Sequence, residues 1–280
     1  EIARSGRIAC MMGIEGGHII EDSLFALRMF HRLGCRYMTL THSFNTNWAD
    51  AAGIDDDTDG EHNGLTEFGR DIIREMNRLG MMVDISHVAD KTFYDALEVS
   101  TAPPIASHSS ARAINSHRRN LSDDMLRALA AKDGAIMINF YCGFIDPEYD
   151  ARYKAWESKH QEALAAIGEK FKANLAARRD ARAEFAAQNP PPRSSLLTLA
   201  KHVEHVAKTI GWRHVGIGAD WDGIRSLPEG IDHCGDLPKL TALLLARGAT
   251  PEQLRGFLGE NLIRVLEACE QRARNIAAGN

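Results

Sequence analysis

The sequence is poor in the features that mark a chain for a membrane, for nucleic acid or for a disulfide scaffold. No apolar run approaches the roughly 20 residues needed to cross a bilayer. Lysine and arginine number 33 against 38 aspartates and glutamates, a net charge of -5, so no basic excess is available for a nucleic-acid backbone. The five cysteines, Cys10, Cys35, Cys142, Cys234 and Cys269, are an odd set without C-x-x-C spacing. Neither a disulfide framework nor a zinc ribbon is indicated, and buried free thiols are expected instead. The chain begins Glu1-Ile2-Ala3-Arg4, with no initiator methionine and no apolar leader, which leaves the compartment of a soluble chain open between exported and cytoplasmic.

What is present is a core. With 44% hydrophobic residues over 280 positions, the chain suits one large α/β domain spanning 1–280. Short runs rich in Ile, Val and Met alternate with helical patterns, the signature of repeated β/α units around a parallel sheet. Six strands are predicted: Arg7 to Ile14, Tyr37 to Thr41, Met81 to Ser86, Pro104 to Ser107, Ala135 to Phe140 and Val215 to Ala219. Helix signals lie between them. Asp22-Ser23 opens a pattern closed by Gly34, Thr66 opens one closed by Gly80, and Ser122-Asp123-Asp124 opens another. Thr250-Pro251-Glu252-Gln253 combines a capping Thr, a Pro at the first helical position and a Gln three residues after the cap. Residues 149–192 interrupt the rhythm: an Ala-, Lys-, Arg- and Glu-rich stretch with Tyr153, Trp156, Leu164, Ile167 and Phe171 at helical spacing predicts a long helical insertion, ended by Asn189-Pro190-Pro191-Pro192. A further helix is expected from about Leu196 to Ile210.

Several of the strand runs end on a group able to bind a metal or carry a proton: Glu15, His87, His108 and Asp220. In a parallel β/α barrel every strand delivers its last residues to one rim, so such groups converge there. Imidazole and carboxylate from different strand ends suit a zinc-like ion; Glu15, His87 and His108 form one such set, leaving a position open for water. Glu15 is the natural bridge to a second ion, and Gly16-Gly17 permits a sharp turn beside it. His42, after Tyr37 to Thr41, suits donation to an oxyanion, and Asp220 suits the role of proton acceptor. Arg119 lies in Arg118-Arg119-Asn120, on the loop after His108, where a planar guanidinium suits a substrate carboxylate. Asp55, Asp57, Asp59 and Gly60 imitate the start of a calcium loop, but Thr66 occupies the position that requires a bidentate Glu, so a solvated acidic loop is expected. The remaining histidines, His117 and His202 among them, are assigned no chemistry.

Together, Gly13-Ile14-Glu15-Gly16-Gly17-His18, Leu40-Thr41-His42-Ser43 with Trp48-Ala49-Asp50, Asp84-Ile85-Ser86-His87, Ser107-His108-Ser109-Ser110, Arg118-Arg119-Asn120 and Gly218-Ala219-Asp220-Trp221-Asp222-Gly223 resemble the renal, or membrane, dipeptidase family from about Ile8 to about Glu270. The resemblance implies a TIM-barrel-like (β/α)8 metallo-hydrolase with two zinc ions that cleaves dipeptides, including some with a C-terminal D-residue. It further implies Glu15 as bridging ligand, His87 and His108 as ligands of the second zinc, and His42 as the contact to the substrate carbonyl or oxyanion. Arg119 matches the arginine that takes the substrate carboxylate, and Asp220 the acid beside the bridging water. Two departures stand out. No His-x-Asp pair precedes Glu15, and the six strands match the family's third to eighth, so a chain lacking two β/α units and an incomplete first metal site is expected. Phe144 stands where some relatives carry tyrosine. Another metal-dependent amidohydrolase and a catalytically inert chain binding fewer than two zinc ions are the alternatives; a homodimer is left open.

Overall fold

A computed structural model describes residue 6, residues 10–53 and residues 61–279. Arg7 to Ala9 of the first predicted strand and the calcium-like Asp55, Asp57, Asp59 and Gly60 lie outside the described residues.

Six strands form: β1 (Met12–Glu15), β2 (Cys35–Thr39), β3 (Met82–Asp84), β4 (Ile105–Ser109), β5 (Ala135–Ile138) and β6 (Val215–Ile217). They pair in parallel and in sequence order, with β1 and β6 at the two edges of a sheet that stays open among the described residues. Parallel neighbours need crossovers, and helices supply them. These are α1 (Leu24–Leu33), α2 (Glu67–Leu79), α3 (Asp90–Val99) and α4 (Asp123–Ala131), then α5 (Cys142–Ile145), α6 (Tyr149–Lys159), α7 (Gln161–Lys170), α8 (Leu175–Gln188) and α9 (Leu196–Ile210) before β6. After it come α10 (Leu237–Ala246), α11 (Pro251–Arg255) and α12 (Asn261–Ala277). This is a run of six consecutive β/α units, the TIM-barrel-like arrangement expected from the alternating pattern.

The period of two along each strand divides the core. On β5, Ile136 and Ile138 join the large apolar cluster, whereas Ala135 and Met137 face the other way, with Met82 and Ile105, against Val265 and Cys269 of α12. Both faces of β3, β4 and β5 are therefore covered, whereas β1 at the sheet edge buries only Ile14.

Helix starts follow their local chemistry. Ser23, Thr66 and Ser122 each accept the N–H three residues on, from Ala26, Gly69 and Met125, and Thr250 forms a full capping box with Gln253. Three expectations need correction. Strands β2, β3, β5 and β6 stop two residues earlier than predicted, because the chain leaves the ladder before the functional residues; His87 and Asp220 adopt left-handed φ of 67° and 60°, which no strand accommodates. The stretch 149–188 is three helices rather than one. Folding back brings Trp156 within 6.3 Å of Phe185 and lets its indole N–H donate to the Asn189 carbonyl at 3.1 Å, contacts a straight helix cannot make. Among the thiols, Cys35, Cys142 and Cys269 are buried and free as expected, but Cys10 and Cys234 are exposed.

His202, on α9, shows what a fully buried histidine does without chemistry. Its Nδ1 accepts the Ala111 N–H at 3.1 Å and its Nε2 donates to the Ile145 carbonyl at 2.9 Å. Burial pushes its pKa down from 6.5 to about 4. Between those values the unfolded chain holds the additional proton, so this group's contribution to stability declines as pH falls from about 6.5 to about 4. A His202→Asn variant is expected to lose about 1–3 kcal/mol at pH 7 and to show a flatter decline over that window, measured as urea midpoints against pH.

Candidate active site

The site forms where the C-terminal ends of β1, β2, β3, β4 and β6 meet. Glu15 is the last residue of β1, His108 lies within β4, and His42, His87 and Asp220 each follow their strand by three residues. The Thr41 hydroxyl donates to the His87 carbonyl at 2.9 Å, joining the β2 and β3 loops. Glycine permits the close packing below. A Cβ on Gly17 would lie 2.4 Å from the Trp48 ring and 2.6 Å from the Leu40 carbonyl oxygen.

Glu15 Oε1 lies 3.1 Å from His87 Nε2 and 3.0 Å from His108 Nε2, and the two nitrogens are 2.7 Å apart. His42 Nε2 is further out, 3.8 Å from the same oxygen, with its ring stacked on His87 at 4.5 Å. Close contact with His108 and then His87 holds the Glu15 carboxyl well below the usual carboxylate range. Burial, reinforced by the positive charge of Arg119, pushes His87 down to about 3. The neutral His87 imidazole beside an ionised carboxylate is a ligand that needs no deprotonation before a cation binds. This nitrogen and oxygen donor set fits an ion of the zinc class. Glu15, His42 and His87 alone place one ligand atom each within 4.8 Å of one another, so His42 is also within reach of such an ion.

Arg119 is buried, and burial lowers its pKa to about 10, against the opposing pull of Asp84, Asp220 and Glu15, so it stays charged at neutral pH. One of its terminal nitrogens, Nη2, donates to the His108 carbonyl at 3.3 Å, and the guanidinium lies over the Phe144 ring at 5.2 Å. The other, Nη1, is buried with no hydrogen-bond partner among the described residues. A buried cationic donor left unpaired costs about 1–3 kcal/mol or more, a cost that pairing with an acceptor would offset. Arg119 lines a cavity of ≈ 300 Å³ together with Glu15, His42, His87, Asp220 and Tyr141. Phe144 lines it too, and the Tyr141 ring meets Phe144 edge-on at 5.0 Å.

The structure thus brings all six candidate residues, Glu15, His42, His87, His108, Arg119 and Asp220, together around two adjoining cavities. Three supporting residues were assigned no chemistry from the sequence. Asn139, fully buried after β5, donates from Nδ2 to Asp220 Oδ2 at 3.0 Å and accepts the Tyr141 N–H on Oδ1 at 2.6 Å. His117 accepts the Arg119 N–H at 3.1 Å, and its ring packs tilted at 41° against Phe144 at 4.5 Å. Asp84 lies beneath His108. The weak sequence signal for Asn139 and Asp84 was their place in otherwise apolar runs.

The family model for membrane dipeptidase, peptidase family M19, matches residues 1–279. A metallo peptidase from Rhodobacter sphaeroides, solved with a phosphinate mimic of the dipeptide L-Ala-D-Ala, is 28% identical with a TM-score of 0.74; the match covers 95% of this chain and 65% of that one. The dipeptidase AC, a metallo peptidase of the same family, is 28% identical with a TM-score of 0.73, over 95% of this chain and 67% of its own. The probable dipeptidase PvdM from Pseudomonas aeruginosa, 22% identical over 97% of this chain and 72% of its own, shares the fold at a TM-score of 0.79. The chain therefore spans less than two thirds of the Rhodobacter protein's length. With the family match running through every one of the site's strand ends, the chain belongs to the membrane dipeptidase family, peptidase family M19.

Proposed function

We propose that this site hydrolyses dipeptides, those with a C-terminal D-residue included, with zinc held by Glu15, His87 and His108. The observation that carries this reading is the unpartnered Nη1 of buried Arg119, in the same cavity as the metal-type donors. A cation fixed beside a hydrolytic centre selects substrates whose free carboxylate lies one residue from the scissile bond. The L-Ala-D-Ala mimic bound by the Rhodobacter sphaeroides relative supports the stereochemical part.

Zinc, when bound, supplies Lewis acidity that makes water acidic enough to act as a nucleophile near neutral pH. The remaining work falls to side chains of this chain. Arg119 holds the terminal carboxylate. His42 Nε2 donates to the carbonyl oxygen as it gains negative charge. Asp220, oriented by the Asn139 amide, takes the proton of the attacking water and passes it to the nitrogen that leaves when the C–N bond breaks. One water is consumed, and two amino acids are released.

Loaded with zinc, the protein is expected to release amino acids from L,L- and L,D-dipeptides and to spare N-terminally acylated amino acids. Absence of turnover on every dipeptide by protein carrying bound metal overturns the proposal; preference for the acylated compounds selects a different amidohydrolase. Arg119→Met is expected to lose about 1.5–3 kcal/mol of transition-state binding, roughly ten- to hundredfold in kcat/KM. For His42→Ala, a fall of about 10²–10³ in kcat with zinc affinity unchanged marks an oxyanion contact; a fall in zinc affinity marks a ligand.

A further inference from the structure

We propose that Asp84 and Ser107 are positioning residues that set the tautomer of His108 and so aim its lone pair at the metal position. Asp84 is fully buried, and four donors surround it. The Ser86 and Ser107 backbone N–H groups donate to Oδ1 at 3.0 and 2.9 Å, and the Thr39 and Ser107 hydroxyls donate to Oδ2 at 2.5 and 2.6 Å. A carboxylate offers no proton in return. The single hydroxyl hydrogen of Ser107 is thereby committed to Asp84; turning it away would set two oxygen lone pairs against each other at 2.6 Å.

Ser107 Oγ also lies 2.7 Å from His108 Nδ1. With its hydrogen committed, the hydroxyl can only accept, so the imidazole proton sits on Nδ1. Nε2 is then left as a bare lone pair, 3.0 Å from Glu15 Oε1 and 2.7 Å from His87 Nε2, where a ligand atom is needed. The His108 backbone is held independently: its N–H donates to Ser86 Oγ at 2.9 Å, and its carbonyl accepts from Arg119. The relay thus acts on the ring's proton rather than on where the strand lies. It joins the carboxylate–histidine pairing common beneath metal ligands to an intervening hydroxyl, and outer-sphere partners of that kind are worth about 10–100-fold in metal affinity.

The inference rests on His108 as a metal ligand in the function proposed above, and its test does not require turnover. In metal-free protein labelled with ¹⁵N-histidine, long-range ¹H–¹⁵N correlation spectra are expected to show His108 protonated on Nδ1 and bare on Nε2. In Ser107→Ala, the Nε2–H form should appear, and Co²⁺ affinity, measured against a chromogenic chelator, should fall ten- to hundredfold. Thr39→Val removes a donor from the same carboxylate oxygen while leaving the Ser107–His108 link, so its Co²⁺ affinity should change less than threefold. An Nε2–H tautomer in the unsubstituted protein, or equal affinity losses in the two variants, would overturn the proposal, whether or not dipeptides are cleaved.

Discussion

A carboxylate at the centre of a parallel sheet survives only if its lone pairs all meet donors, because an unpaired buried charge costs several kcal/mol. Asp84 meets that condition with partners on three adjacent strands: Thr39 at the end of β2, Ser86 just past its own β3, and Ser107 in β4. These contacts tie the strand ends together where the ladder is weakest, since β3 and β4 share the single register pair Asp84 with Ile105. Glu15, His87 and His108 inherit their relative placement from this knot. Shift β4 by one residue against β3, and His108 turns to the other face of the sheet.

Above the knot, the chain stops making sheet in order to aim side chains. His87 and Asp220 sit in left-handed conformations that non-glycine residues adopt at a cost of roughly 1–3 kcal/mol. The cost is offset locally. The His87 carbonyl accepts both the Ala52 N–H and the Thr41 hydroxyl, and the Asp220 carboxylate is held by Asn139. A strand continuing through these positions would alternate their side chains between the two faces, whereas the turn sends both toward the same cavity.

This explains what could be read from the sequence and what could not. Helix starts at Ser23, Thr66, Ser122 and Thr250 were legible because a cap is a contact over three residues, complete within the local sequence. The existence and order of six strands were legible from apolar runs, and the candidate site residues from the polar group that ends several of them. Strand ends were not, because the left-handed turns at His87 and Asp220 answer to partners such as Thr41 and Asn139 on other strands. The fold-back of α6 to α8 was hidden for the same reason: the pairing of Trp156 with Phe185 spans 29 positions and leaves no periodic trace. Asp84 read as one polar residue in an apolar run, and its partners Thr39 and Ser107 lie on other strands.

Charge balance shows why the two halves of the site belong together. Arg119 is buried without a carboxylate at hydrogen-bonding distance, its charge offset only at longer range by Asp84, Asp220 and Glu15. The same positive charge helps keep His87 neutral and therefore available as a ligand. An anion arriving at Nη1 satisfies the orphaned donor and neutralises that charge, while a divalent cation at Glu15 and the imidazoles supplies a positive charge of its own. The two ligands thus relieve different unmet demands in one ≈ 300 Å³ cavity, the anion a missing acceptor and the cation a cluster of lone pairs. Either alone leaves the other demand standing, and the dipeptide proposed as substrate would engage both at once through its carboxylate and its carbonyl.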